Sequence, residues 1–94
     1  MLGDWLQVTI QDPNSDVAAS SAEGLVNGFS QARRDKMLLP DDAPVFYGIT
    51  NTSDYVFYFS PAAIEVGIEV LRGYSTTSCK QPDAEDLRNL KKVS

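Results

Sequence analysis

The strongest pattern of apolar and polar residues lies in residues 44–60, where two runs rich in aromatic and β-branched residues flank a cluster of turn-forming residues. This arrangement predicts a β-hairpin. With a four-residue loop, Thr50 would lie opposite Tyr55, and the side chains would alternate between two faces. The first face would carry Gly48 and three phenylalanines, Phe46, Phe57 and Phe59. The second face would carry Val45, Tyr47, Ile49, Val56 and Tyr58.

Both faces of this hairpin are apolar, whereas a hairpin with one face in water alternates apolar with polar residues. We expect helices to cover the phenylalanine face. A short C-terminal helix could cover the second face, but an apolar patch of this size is also typical of a binding surface. The sequence therefore predicts an interaction surface centred on Tyr47 and Tyr58 and completed by Val45, Ile49 and Val56.

The preceding elements are predicted from the spacing of their apolar residues. Alternation of Leu6, Val8 and Ile10 predicts a half-exposed strand over residues 4–11. A helix is predicted over residues 17–36, with Ser15 or Asp16 as its cap. Five apolar residues recur along it at steps of four and three, namely Ala18, Ala22, Leu25, Phe29 and Ala32. After this helix, residues 37–39 are expected to fill the core.

A second helix is predicted from Ser60 to Gly73, because Ser60 is a favourable N-cap, Pro61 suits the first helical position and Gly73 suits the end. Its buried side would contain Ile64, Ile68 and Leu71. Residues 75–81 are polar and predict a connector. Residues 82–94 predict a short terminal helix that docks loosely on the rest.

The element order is therefore β-α-β-β-α, followed by a short helix. A chain of 94 residues suffices for one domain. The economical packing of this order is a single α+β domain, residues 1–94, with a three-stranded antiparallel or mixed sheet and helices on one face.

Composition restricts the partners of such a domain. The formal net charge is −5, with eight lysines and arginines in total, of which Arg33, Arg34 and Lys36 suit a solvated helix end. This balance argues against nucleic acid and against an anionic membrane surface as partners. The first residues lack the pattern of a signal peptide, and the single Cys79 cannot form an internal disulfide. We therefore expect a cytoplasmic protein.

Candidate chemistry is sparse. The absence of histidine removes the commonest general base and the commonest zinc ligand, and a single cysteine argues against paired redox chemistry. Four residues have the spacing of a calcium-binding loop, namely Asp12, Asn14, Asp16 and Glu23. Val17, however, stands where that loop needs a glycine with positive φ. We therefore interpret these residues as a strand-to-helix turn, and we predict neither a metal nor a cofactor.

These observations favour a small acidic protein without enzymatic activity. It would bind a protein partner, or a second copy of itself as a homodimer, through the aromatic surface. An alternative is a small-molecule-binding or catalytic domain with a pocket between hairpin and helix, lined by Tyr58, Ser60 and Glu65. A third possibility is a structural subunit of a larger assembly, of the kind found in phages or mobile elements.

Overall fold

The computed structural model describes residues 4–50 and 54–93. Its elements are β1 (Trp5–Ile10), α1 (Ser15–Asp35), β2 (Val45–Ile49), β3 (Tyr55–Phe59), α2 (Pro61–Val66), α3 (Ile68–Leu71), β4 (Thr76–Cys79), α4 (Ala84–Arg88) and β5 (Lys91–Lys92). Within the described residues, five strands form one antiparallel sheet in the order β4-β1-β3-β2-β5. The predicted α+β class is confirmed, but the predicted count of three strands is wrong. No helix in this part of the chain is both long enough and apolar enough to traverse a bilayer.

Three helices cover one face of the sheet, which we call the helix face; the opposite side is the outer face. α1 packs over β1 and β3, and α2 and α3 pack beside it. The buried side of α1 contains four residues of the predicted stripe, Ala18, Ala22, Leu25 and Phe29. Phe29 meets Phe59 edge to face, with 5.3 Å between ring centroids. This geometry is favourable beyond the burial of the two rings.

The turn before α1 is held by side chains that bind backbone N–H groups. Asn14 is the N-cap, and its Oδ1 accepts hydrogen bonds from the N–H groups of Asp16 at 2.9 Å and Val17 at 3.4 Å. Asp12 accepts a hydrogen bond from the N–H of Asn14 at 2.9 Å. The cap thus lies one residue before the predicted Ser15. Asp12 and Asn14, which belong to the four residues with calcium-loop spacing, stabilise this turn through these hydrogen bonds.

The register of the hairpin differs from the predicted register by one residue. Tyr47 lies opposite Phe57, and Ile49 lies opposite Tyr55. The connection therefore extends from Thr50 to the residue before Tyr55, and the N–H of Thr50 donates to the carbonyl of Asp54 at 2.8 Å. Most of the predicted loop, residues 51–53, lies outside the described residues. Because side chains alternate along a strand, a slip of one residue moves every side chain of one strand to the other face.

This register divides the predicted interaction surface between two faces, so the prediction that its five residues share a face is wrong. Val45, Tyr47 and Ile49 lie on the helix face together with Phe57 and Phe59, and Val45 is buried in the core. The other two residues, Val56 and Tyr58, lie on the outer face.

The C-terminal part of the chain also differs from the prediction. Residues 75–81, predicted to be a connector, contain β4, and residues 82–94, predicted to be a helix, contain α4 followed by β5. Because β4 and β5 lie at opposite edges, the chain between them must pass the other three strands. It passes over the outer face, since Cδ2 of Leu90 lies 2.8 Å from the position that a Cβ of Gly48 would occupy there.

The outer face has an aromatic cluster of its own. Trp5 is buried there and stacks on Phe46, with 6.2 Å between ring centroids. The hydroxyl of Tyr58 accepts a hydrogen bond from Nε2 of Gln7 at 3.2 Å. With Leu90 also on this side, the chain itself covers part of the outer face, which holds Val56 and Tyr58 of the predicted interaction surface.

The predicted second helix is broken at Gly67, which separates α2 from α3. The break occurs where the backbone passes the ring of Phe29, because a Cβ at Gly67 would lie 2.9 Å from Cδ1 of that ring. The break changes which residues face the core. Leu71 is buried as predicted, whereas Ile68 is 52% exposed, so the predicted continuous seam is wrong.

Residues 37–39 do not fill the core as predicted. Met37 is 91% exposed and Leu39 is 69% exposed. Met37 has a φ of 59°, and the carboxylate of Asp42 accepts a hydrogen bond from the N–H of Leu39 at 2.8 Å. The chain therefore turns away from the core at this point, and the buried Ala43 and Val45 contribute to the core instead.

Gly67→Ala is expected to lower the free energy of unfolding by about 1–3 kcal/mol, since the added methyl group would overpack the ring of Phe29. Gly24→Ala is the control, because its nearest neighbour would be the Tyr74 hydroxyl oxygen at 3.9 Å. Higher helix propensity should make this control more stable by up to about 1 kcal/mol. Urea denaturation followed by circular dichroism measures both variants. Equal changes would contradict close packing of the α2–α3 junction on Phe29.

Candidate binding groove

The structure separates the three residues of the predicted pocket. Tyr58 lies on the outer face, where it is hydrogen-bonded to Gln7. Ser60 is buried and caps α2, with its Oγ accepting a hydrogen bond from the N–H of Ala63 at 3.3 Å. Glu65 is exposed on α2. Because Tyr58 faces away from α2 and Ser60 is engaged in the cap, these residues do not line a common pocket.

An open cleft lies instead on the helix face, between the flank of α1 and the hairpin. Its volume is about 270 Å³. It is lined by Ala19, Ala22, Glu23, Val26, Tyr47, Tyr55 and Phe57. We call this cleft the tyrosine groove.

The tyrosine groove exists because α1 covers only part of the sheet. α1 lies over β1 and β3, so that Tyr47 on β2 is only half-buried and Ile49 is 62% exposed. Ala19 and Ala22 line the flank of α1 with small side chains, which leave the space above the hairpin open. Tyr47 stacks on Phe57, with 5.5 Å between ring centroids and 21° between ring planes. The two rings form a flat floor.

A second, smaller cleft shares Tyr47 with the groove and lies at the end of β2; we call it the lysine cleft. Its volume is about 150 Å³. It is lined by Tyr47, Gly48, Ile49, Asn89 and Lys91. Tyr47 lines both clefts because it lies between Phe57 on β3 and Lys91 on β5.

Among the residues that the structure describes, one charged side chain lines each cleft, and the two charges are opposite. Glu23 is exposed at the tyrosine groove, and Lys91 is exposed at the lysine cleft. Tyr47 and Tyr55 add hydroxyl groups that tolerate water at an otherwise apolar surface. In the part of the chain that the structure describes, no cluster of acidic, cysteine or histidine side chains is suited to holding a metal ion.

Arg33 is buried, although the sequence placed it with Arg34 and Lys36 at a solvated helix end. It is only 3% exposed. Its Nη1 donates to the carbonyl of Val93 at 3.4 Å, and its guanidinium lies 5.4 Å from the ring centroid of Phe29. Burial, and secondarily the charge of Arg34, lower the pKa of Arg33 from its usual value. Arg33 thus connects the end of α1 to the chain after β5 and has a structural role.

Cys79 is half-buried in β4 and has no disulfide partner among the described residues. Burial, and secondarily the carboxylate of Asp4, raise the pKa of its thiol. Both effects disfavour the thiolate, which is the nucleophilic form of cysteine. The surroundings of Cys79 are therefore unsuited to a catalytic nucleophile.

Sequence reasoning missed the α1 side of the groove. Ala19, Glu23 and Val26 lie beside the buried stripe of α1 and recur at steps of four and three. This spacing places them on one flank of a helix, which is a signal that the sequence contains. The sequence does not show which strand lies beside that flank.

Alkylation of Cys79 by iodoacetamide should depend on pH in a way that reveals its raised pKa. Since the thiolate is the reacting form, the folded protein should need a higher pH than the urea-unfolded chain to reach half of its maximal rate. Asp4→Asn should lower that midpoint, whereas Glu65→Gln, which changes an exposed carboxylate on α2, should not. A midpoint in the folded protein at or below the unfolded midpoint would contradict the described surroundings of the thiol.

Comparison with known proteins does not relate either cleft to an established site. The chain matches no protein-family model, no curated protein and no solved structure.

Proposed function

We propose that this protein is a small binding module without enzymatic activity, and that a segment of a protein partner occupies the tyrosine groove. The observation that carries this proposal is an open cleft of about 270 Å³, with an aromatic floor, where helices leave the sheet uncovered. Tyrosine combines a large apolar area with a hydroxyl that tolerates water, which is why it is frequent at binding hot spots. Ile49 and Tyr55 lie opposite each other and extend the apolar surface.

Volume and shape favour a protein segment over a small molecule. Sites for small ligands are mostly clefts of about 300–1,000 Å³ that bury most of the ligand. The tyrosine groove lies at the lower end of this range and is open to solvent, so it would bury less of a small ligand than such sites do. A partner that inserts a few anchoring side chains needs no larger cavity, because the rest of its contact surface lies outside.

The chemistry of the groove favours binding over catalysis. General acid–base catalysis needs a positioned titratable group whose pKa suits the reaction, and the common carboxylate mechanisms use two such groups. Within residues 4–50 and 54–93, Glu23 is the single carboxylate that lines the groove, and it is exposed on α1. Cys79 lies in β4, which is separated from β2 by two strands.

The proposed site keeps part of the surface predicted from the sequence. Tyr47 lines it and Ile49 lies beside it on β2, whereas Val45 is buried and Tyr58 lies on the outer face. The partner can be another protein or a second copy of this chain, because the apolar surface around Ile49 could meet its own copy across a two-fold axis.

Filling the groove should weaken the binding of peptides to this protein. Peptides selected on the wild-type protein from a displayed library of short random sequences are the probes. Ala19→Phe adds a ring at an exposed position that lines the groove, and should weaken their binding at least about tenfold. Ser20→Phe adds the same ring at the next exposed position, which does not line the groove, and should leave affinity unchanged. Fluorescence anisotropy measures both affinities.

Two outcomes would contradict this proposal, namely equal binding of the peptides to both variants and failure of the library to yield any binder. Light scattering during size exclusion at several concentrations then identifies the class of partner. A wild-type homodimer that Ala19→Phe converts to a monomer would make a second copy the occupant of the groove. A monomer at every concentration would leave another protein as the occupant.

A further inference from the structure

We infer that the segment that binds the tyrosine groove crosses β2 and carries two opposite charges, a cation beside Glu23 and an anion beside Lys91. This inference rests on the proposed function of the groove and specifies the chemistry of its partner. The observation behind it is that Tyr47 lines two clefts, that the described residues supply one charged side chain to each cleft, and that these charges differ in sign.

The two charges lie on opposite sides of Tyr47. Tyr47 pairs with Phe57 on β3 and with Lys91 on β5, so these three residues form one row across the helix face. Neighbouring strands are about 4.8 Å apart, which places the backbone of Phe57 about 10 Å from that of Lys91. α1 lies over β3 on the Phe57 side, and Glu23 lines the groove from α1. A segment that crosses Tyr47 therefore meets the carboxylate of Glu23 at one end and the ammonium group of Lys91 at the other.

Both charges are available to a partner. Glu23 and Lys91 are exposed, and within the described residues neither forms an ion pair. The adjacent Lys92 differs, because it pairs with Asp41 within the molecule. Exposed ion pairs add little affinity, but opposite charges at the two ends of a site determine the direction in which a segment binds.

The separation of the charges sets the spacing expected in the partner. An extended chain advances about 3.3 Å per residue, so a span of about 10–15 Å corresponds to about three to five residues. The partner segment should therefore contain a basic residue and an acidic residue at this spacing. Between them it should carry an apolar or aromatic residue that contacts the ring of Tyr47.

The test reverses both charges of the site without changing the net charge of the protein. The double variant Glu23→Lys with Lys91→Glu is compared with the control Glu65→Lys with Lys80→Glu, whose exposed positions line neither cleft. The probes are peptides selected on the wild-type protein and synthetic versions of them with basic and acidic residues exchanged. The reversed protein should bind the selected peptides about tenfold more weakly and the exchanged peptides more tightly. The control should bind like the wild type.

Two results separate a failure of this inference from a failure of the proposed function. Peptides that are weakened by Ala19→Phe but bind the reversed protein as tightly as the wild type would overturn the charge inference alone. Peptides that Ala19→Phe does not weaken would overturn the proposed function and this inference with it. If the reversed protein fails to fold by circular dichroism, Glu23→Gln and Lys91→Gln replace it, each with an expected weakening of about threefold.

Discussion

The pairing of β2 with β3 is the constraint on which the rest of the structure depends. It places Val45 and Tyr47 on the helix face beside Phe57 and Phe59, where Phe59 meets Phe29 of α1. With β3 held by β1, a shift of one residue between β2 and β3 would turn Val45 out of the core and Tyr47 away from the helix face. The same pairing turns Gly48 to the outer face, where its missing side chain leaves room for Leu90. The register between β2 and β3 thus affects both faces. It places core residues on the helix face, and it makes room on the outer face for the chain that runs from β4 to β5.

The tyrosine groove follows from the position of the helices on the sheet. The described residues form five strands, of which β2 is the fourth in the order β4-β1-β3-β2-β5. α1 and the shorter helices beside it cover β1 and β3. The helix face of β2 is therefore left partly open, and Tyr47 occupies that place with its ring supported by Phe57. A stacked ring at an open edge gives a rigid surface, which suits the proposed binding role.

The position of Lys91 depends on contacts two residues further along the chain. Val93 is buried in the core, and its N–H donates to the carbonyl of Val45 at 2.8 Å. The carbonyl of Val93 accepts a hydrogen bond from Nη1 of Arg33 at 3.4 Å. Because side chains alternate along a strand, anchoring Val93 also orients Lys91 toward the helix face beside Tyr47. The polar end of the proposed site is thus held by core residues that a partner does not touch.

The sequence by itself determined the features that depend on neighbours along the chain. The α+β class, the first strand, the buried stripe of α1, the existence of the hairpin and the Ser60 cap each follow from spacing or from a local capping residue. These are interactions between residues a few positions apart, for which periodicity and side-chain type are sufficient information.

Tertiary structure alone decided the features whose partners are distant in sequence. The polar run at β4 became a strand because β1, far earlier in the chain, offers an edge to pair with. The buried Arg33 donates a hydrogen bond to the carbonyl of Val93, which is 60 positions away. The predicted second helix is broken at Gly67, where the backbone lies against the ring of Phe29. The tyrosine groove belongs to this second group. It is formed by the flank of α1 and the helix face of β2, and no local pattern in the sequence predicts that these two surfaces meet.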